Sequence, residues 1–285
     1  MAMRRLKGET GANAVMESGY LRHLRTCNNA HLPGERLAFR IGSAQVGWVK
    51  QGFATVLAEF PEIQTDTDGV SLADAAALPG IARRLSEAGH YRWRREAFDI
   101  RAEPEGPVLA QLDRGALPSF GVLAVGVHVN GLVCRRDGLH LWVARRAANK
   151  LLDPDKLDHV VAGGVPAGLT PAQTLVKEAE EEAAIPASLA CQATHVALIG
   201  YAMERPEGLR RDLLHCYDLA LPEDFHPYAA DGEVAAFELW PIKQVMQTVR
   251  DTDDFKFNVN LVLIDLFLRQ GLIGGDEAEM LRRMP

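Results

Sequence analysis

The chain has no excess of positive charge. Its 31 Lys and Arg against 38 Asp and Glu leave a formal net charge of −7 over 285 residues. That balance argues against a nucleic-acid binder, whose phosphate contacts need clustered Lys and Arg. A phosphate-bearing small molecule stays open, because a metal ion reconciles acidic residues with an anionic ligand. Cysteine is scarce: Cys27, Cys134, Cys191 and Cys216 stand far apart. With no CxxC pair and no Cys/His cluster, a structural zinc site is not expected, and the four read as reduced, mostly buried thiols of a cytoplasmic protein. No uncharged apolar run approaches the roughly 20 residues that a membrane span needs. The opening MAMRRLKGETGANAV has basic residues but no apolar segment behind them, so no secretory signal is expected. There is no internal repeat and no low-complexity tract.

What is present is ordinary for a globular protein. A 47% hydrophobic and 24% charged composition supports a sizeable core, and the length suits two domains. Pro and Gly punctuate Glu103-Pro-Glu-Gly-Pro107, then Gly115 and Leu117-Pro118-Ser119, which places a boundary near Pro118. The reading is a smaller mixed α+β domain over residues 1–118 and a second domain over 119–285.

In the first part, residues 17–29 suit a helix, 37–49 alternate as one strand, and 53–59 suit a short helix. Residues 70–89 have helical spacing that Pro79 must break or kink. Residues 91–101 alternate again. Arg92, Arg94 and Arg95 read as the wet face of a half-buried strand whose other face carries Tyr91 and Trp93, more than as a phosphate patch. In the second part, strands are expected at 120–129 and 139–144, separated by the turn dipeptides Asn130-Gly131 and Asp137-Gly138. Further strands fall at 195–201, 213–219 and 237–240, and helices at 242–250 and 260–269. Strands flanked by helices suggest an α/β/α sandwich around a mixed sheet.

Between these strands lies AGGVPAGLTPAQTLVKEAEEEAAIP, residues 162–186. Thr170 can cap a helix, Pro171 suits its first position, and Gln173 completes a capping box. Pro186 marks its end. Ala172, Val176, Ala179 and Ala183 make one small apolar stripe. Glu178, Glu181 and Glu182, at i, i+3 and i+4, share the opposite face, while Glu180 points away. Such a run is commonly a solvated acidic face. The glycines before it, Gly163, Gly164 and Gly168, favour a ligand site, because they let the backbone approach closely. Three converging carboxylates suit a hard divalent cation such as Mg²⁺.

The segment resembles the Nudix box, G-x5-E-x7-R-E-U-x-E-E-x-G-U, with U a bulky aliphatic residue. Counted from Gly163, Glu178 falls on the R-E glutamate, Glu181 and Glu182 on the E-E pair, and Ile185 on the last U. Leu169, Lys177, Ala179 and Ala184 depart from the pattern, and the usual glycine pair is shifted so that the loop is one residue shorter. Beyond the box, the chain resembles a branch related to the Nudix domain fused to thiamine pyrophosphokinase in fungi and to plant thiamine-diphosphate-cleaving enzymes. The stretches that carry this are Phe120-Gly121, Val127-His-Val-Asn-Gly131, Leu141-Trp-Val-Ala-Arg-Arg146, Leu157-Asp-His-Val-Val-Ala-Gly-Gly164 and Lys177-Glu-Ala-Glu-Glu-Glu182. Cys216-Tyr-Asp-Leu, Leu221-Pro-Glu-Asp, Asp231-Gly-Glu-Val234, Glu238-Leu-Trp-Pro241 and Asp254-Phe-Lys256 continue it.

The resemblance implies a Nudix α/β/α sandwich and a pyrophosphohydrolase dependent on Mg²⁺, with Mn²⁺ or another divalent cation as a substitute. Its implied metal ligands are Glu178, Glu181 and Glu182, with Gly163 and Gly164 shaping the phosphate loop. Glu178 and Glu181 join Glu233 as catalytic candidates, Glu233 being the expected general base or else a solvated turn residue. Arg145 and Arg146 close a strand before the box, and one of them is expected to face the diphosphate. Trp142, Tyr201 and Trp240 stack a ring or, more commonly, pack in the core; His128 and His159 are expected to be structural. The implied substrate is thiamine diphosphate or an oxidised analogue, giving the monophosphate and phosphate. The alternatives are another X-linked diphosphate such as ADP-ribose or a nucleotide sugar, or a non-catalytic diphosphate sensor. The first domain is expected to act as a lid, and the protein as a monomer or homodimer without nucleic-acid or membrane partners.

Overall fold

A computed structural model describes residues 19–229 and 232–283. The basic opening segment, the first two residues of the helix expected from 17, and Asp231 lie outside that range. Helix α1 (Leu21–Cys27) buries Leu21, His23 and Cys27, but not against the sheet that follows it. Tyr20 and Leu21 join the cluster around Val249, Leu263 and Phe267 near the other end of the chain. Sequence proximity gave no sign of that docking.

The run over 37–49 is a hairpin, not one strand. Gly42, at φ 57°, turns the chain between β1 (Arg36–Ile41) and β2 (Ala44–Lys50). Glycine adopts this left-handed conformation without the steric penalty of a β-carbon. After α2 (Gln51–Leu57) come β3 (Ile63–Thr65) and β4 (Gly69–Leu72), completing a sheet of order β2-β1-β4-β3. The helix expected over 70–89 begins only at Leu78. Helix α3 (Leu78–Glu87) has Pro79 in its first turn, where a missing N–H is harmless, so nothing is kinked.

The alternation over 91–101 yields a strand only at β5 (Ala97–Ile100), paired with β6 (Ala110–Asp113). Residues 91–96 are irregular, pinned by the Asp113 carboxylate, which accepts the N–H groups of Arg94 and Glu96. Their side chains still divide as expected: Tyr91 and Trp93 pack on the core while Arg92, Arg94 and Arg95 are exposed. One core, built on Phe39, Leu57, Leu72, Leu78 and Leu85, runs through Phe98 and Ile100 to Phe120 of α4 (Leu117–Phe120).

A seven-stranded mixed sheet follows. Strands β7 (Leu123–Arg135) and β8 (Gly138–Arg146) form its centre, joined at the expected Asp137-Gly138 turn. Asn130-Gly131 is no turn. Both lie inside β7, with Asn130 buried and donating to Asp218, and Gly131 under Val160. Short β9 (Leu157–His159) pairs with β8, and β10 (Val161–Gly164) with β7.

Helices α5 (Pro171–Ala183) and α6 (Ala187–Ala190) precede the long strands β11 (Thr194–Arg205) and β12 (Gly208–Ala220). Strand β12 runs parallel to β7, and β13 (Val234–Pro241) closes the far edge against β8. On one face, Leu175, Ala179 and Ala183 of α5 pack against Val127, Val129 and Val161. On the other lie α7 (Ile242–Asp251), α8 (Val259–Arg269) and α9 (Gly275–Arg282). Helix α8 is apolar nearly all round and mostly buried, as such a helix must be. Each fully buried Leu, Ile or Phe contributes about 1.5–3 kcal/mol. The result is an α/β/α sandwich behind a smaller mixed α+β unit. Among the described residues, no helix is long and apolar enough to cross a membrane.

Candidate active site

Local chemistry fixes where α5 begins. Thr170 Oγ1 accepts the Gln173 N–H at 3.2 Å, and Gln173 Oε1 accepts the Thr170 N–H at 2.9 Å. The end is fixed by Ala184, which takes the left-handed conformation at φ 52°, while the Ile185 N–H reaches back to the Ala179 carbonyl at 2.9 Å. This is the cap that glycine normally provides. The box's missing glycine is therefore a stability cost at a helix end, and the site's geometry is kept.

The buried stripe of α5 differs from the expected one. Leu175, Ala179 and Ala183 face the sheet, whereas Ala172 is exposed and Val176 only partly covered. The helix is rotated so that Glu182 is buried beside Ala183. Glu182 Oε2 accepts the Ala162 N–H of β10 at 3.0 Å. Glu178 lies across the next residue: a β-carbon at Gly163 would stand 2.8 Å from Glu178 Cγ. Gly164 is equally constrained, since a β-carbon there would meet the Phe98 ring at 2.5 Å. The two glycines thus leave room for one carboxylate and for the tip of one aromatic ring against the strand.

Burial pushes the Glu182 carboxyl up to about 8, with the Ala162 N–H opposing and Glu178 and Asp158 adding to the rise. Burial also raises Glu178, against the pull of Lys177, with Glu181 and Glu96 reinforcing the rise. A carboxyl that is both buried and crowded by others is stable as the neutral acid, or as the carboxylate when a cation balances it. Glu181 sits apart, half exposed, with its carboxylate paired to Lys177 one turn back. Lys177 also lies 3.3 Å from Glu178. Standing where the box has Arg, it clips the outer two carboxylates together. Glu178 and Glu182 therefore converge on β10, and Glu181 marks the rim.

Glu233, just before β13, is held by Lys150, whose charge also reaches Glu182. Glu233 and Glu182 thus share the influence of one lysine. The two strand-end arginines have other tasks. Arg146 is nearly buried; it donates to Asp158 at 2.8 Å and to the carbonyls of Leu152 and Asp153 at 2.8 and 3.0 Å. It pins the 147–156 loop. Arg145 donates to the Asp155 carbonyl at 3.0 Å and lines a shallow recess with Trp240 and Asp254. Trp142 and Tyr201 are core residues, Tyr201 donating to Asp212.

Sequence reasoning gave no role to Asp158 and Lys256, although both stand in stretches that carry the resemblance. Asp158 is buried; burial alone would raise it, but Lys256 at 3.6 Å, with His128 and Arg146, holds it well below the usual carboxylate range. His128 and His159 meet Nδ1 to Nδ1 at 2.9 Å, and burial depresses both, His159 to about 4. Among the described residues, His128, Asp158 and His159 are the one group of three whose ligand atoms all lie within 4.8 Å of one another. A divalent ion there would face Arg146 and Lys256, which already neutralise Asp158. The glutamates on β10, lacking such partners at Glu182, fit a hard cation better.

Nudix hydrolase 24, chloroplastic, of Arabidopsis thaliana is 36% identical over 269 residues, covering 90% of this chain and 74% of that protein. The chain belongs to the Nudix hydrolases. Nudix hydrolase 20, chloroplastic, of the same plant is 35% identical over 286 residues, covering 93% of this chain and 76% of its own length. Residues 125–260 match the NUDIX domain model, and residues 19–124 match one described as Domain of unknown function (DUF4743). Among solved structures, DR0079 from Deinococcus radiodurans is 20% identical with a TM-score of 0.43, covering 66% of this chain and 99% of that one. As a Nudix hydrolase, the protein is an enzyme acting on a phosphorus-containing anhydride, built on the Nudix sandwich that the sequence implied.

Proposed function

We propose that Glu178 and Glu182, laid on the glycine strand β10, hold Mg²⁺ for hydrolysis of an organic diphosphate, with thiamine diphosphate or an oxidised analogue as substrate. The observation that carries the reaction is the pair of crowded, partly desolvated carboxylates over Gly163 and Ala162. Support for the thiamine class comes from the sequence stretches outside the box. The bound ion supplies neutralisation of the charge that develops on the phosphate oxygens and orients them for attack.

The chain's own residues do the rest. The Ala162 N–H and the packing of Leu175 and Ala179 fix α5 so that Glu182 cannot turn away. Lys177 keeps Glu181 at the rim, so that Glu178 and Glu182 are the residues that would hold the ion. Glu233 accepts a proton from the attacking water, and Lys150 holds that carboxylate in place. Water oxygen bonds to one phosphorus, the bridging oxygen leaves with the other, and a monophosphate and phosphate result. Incubation with Mg²⁺ and a panel of thiamine diphosphate, its oxo and oxy analogues, ADP-ribose and a nucleotide sugar, with the monophosphate products resolved by chromatography, tests this. Turnover of the thiamine compounds is expected; turnover of ADP-ribose alone would overturn the substrate assignment.

A further inference from the structure

A cavity of about 490 Å³ opens between the two parts of the chain, and neither part could form it alone. One wall is β5 and the loop after it, with Phe98, Asp99 and Glu105; the other is the sheet, with Val125 and Leu213 side by side on paired strands. The walls are hydrogen-bonded together. The Ala167 N–H donates to the Ala97 carbonyl at 2.7 Å, and the Gly168 N–H to Asp99 Oδ2 at 3.2 Å. The segment that leads into α5 is thus tied to the N-terminal unit.

Phe98 connects this cavity with the carboxylates. It borders the cavity, and the tip of its ring meets Gly164, the neighbour of the glycine against which Glu178 lies. Ala172, on the cavity rim, precedes Glu178 by six positions, about 9 Å along a helix. A diphosphate held at Glu178 and Glu182 would have its organic group cross that axial distance to enter the cavity. We propose that the cavity receives this organic group, and that the group is a planar heteroaromatic, neutral or cationic.

The lining supports that class. Val125 and Leu213 offer carbon surface, backed by the nearly buried Phe98, the usual complement of a ring. Two carboxylates, Asp99 and Glu105, line the cavity against one lining arginine, Arg101, which Asp99 and the Gly106 carbonyl engage; Arg114, beside the Phe98 ring, is paired with Glu96. His215 adds no charge near neutral pH, because burial lowers it. An anionic sugar acid would meet one surplus carboxylate, whereas a ring bearing amino groups or a positive charge would be favoured. The N-terminal unit is then a determinant of specificity, supplying Phe98, Asp99 and Glu105 to a site whose phosphate chemistry lies in the other domain.

This inference rests on the reading of Glu178 and Glu182 as the phosphate site, so its test is direct binding, which needs no turnover. The full chain with Mg²⁺ is titrated calorimetrically with thiamine monophosphate, AMP, glucose 1-phosphate and inorganic phosphate. At least one ring-bearing compound should bind roughly tenfold or more tighter than the other two. Leu213→Trp, which fills the cavity, should weaken that ligand roughly tenfold or more. Glu105→Lys, an exposed change that leaves the core alone, should weaken thiamine monophosphate more than AMP, and it decides the matter if Leu213→Trp fails to fold. Equal binding of all four compounds, no binding of any, or unchanged affinity in the variants overturns the proposal. Hydrolysis with unchanged KM in both variants would sink the cavity and leave the proposed function standing. The expected binding pattern without any hydrolysis would do the reverse.

Discussion

Glu178 lies flat on Gly163, so closely that a β-carbon at that position would stand 2.8 Å from Glu178 Cγ. The glycine of the loop and the first glutamate of the helix are therefore one unit. Gly163→Ala should push the carboxylate off the strand, lowering Mg²⁺-dependent turnover roughly tenfold or more while costing about 1–3 kcal/mol of stability. Denaturant unfolding and kcat on the same preparation check both. Unchanged turnover would mean that the Glu178 position is not critical.

Metal binding should release a proton. With its carboxyl raised to about 8, Glu182 is mostly protonated at pH 7 in the metal-free protein, and the ion needs the carboxylate. Calorimetry in buffers of different ionisation enthalpy should show a release approaching one proton per ion at pH 7 and fading above pH 8, with apparent affinity rising across that window. A release that is absent at pH 7 would place the ion elsewhere.

Ala184 ends α5 in the left-handed conformation. Glycine takes that conformation without the β-carbon clash, so Ala184→Gly should stabilise the protein by about 1 kcal/mol. Chemical denaturation reads this, and a destabilised variant would contradict the cap assignment.

The buried histidine pair sets an acid limit. Both folded-state values are depressed, His159 to about 4, so the unfolded chain binds the extra protons. The stability that the pair contributes is full above the ordinary histidine value of about 6.5 and is lost as pH falls towards 4. Thermal unfolding from pH 7.5 to 4 should show that loss, and His159→Asn should flatten it. An unchanged slope would assign acid sensitivity to other groups.

Much of this site was legible in the sequence because it depends on local chemistry. The capping box at Thr170 and Gln173, the helix stop before Pro186 and the i, i+4 pairing of Glu178 with Glu182 are all encoded within one helix. What escaped depends on distant contacts. Glu181 shares the spacing but leans outward to Lys177, and the helix rotation that buries Glu182 is set by packing on Val127 and Val161. Arg146 carried a signal for phosphate, yet the loop it holds and Asp158 claim it. The approach of Phe98 to Gly164, from 66 positions away in the chain, has no local signature at all. Asn130-Gly131 misled because a turn dipeptide also suits a strand position where Val160 leaves no room for a side chain.

The most direct test is Glu182→Gln, which keeps the shape of the side chain and its acceptor for the Ala162 N–H while removing the charge. Mg²⁺ affinity and kcat on the best substrate of the panel should both fall, kcat by roughly 100-fold or more, with the circular dichroism spectrum and unfolding midpoint unchanged or improved. A variant that folds and turns over as fast as the parent would contradict the assignment of the metal site to α5 and β10.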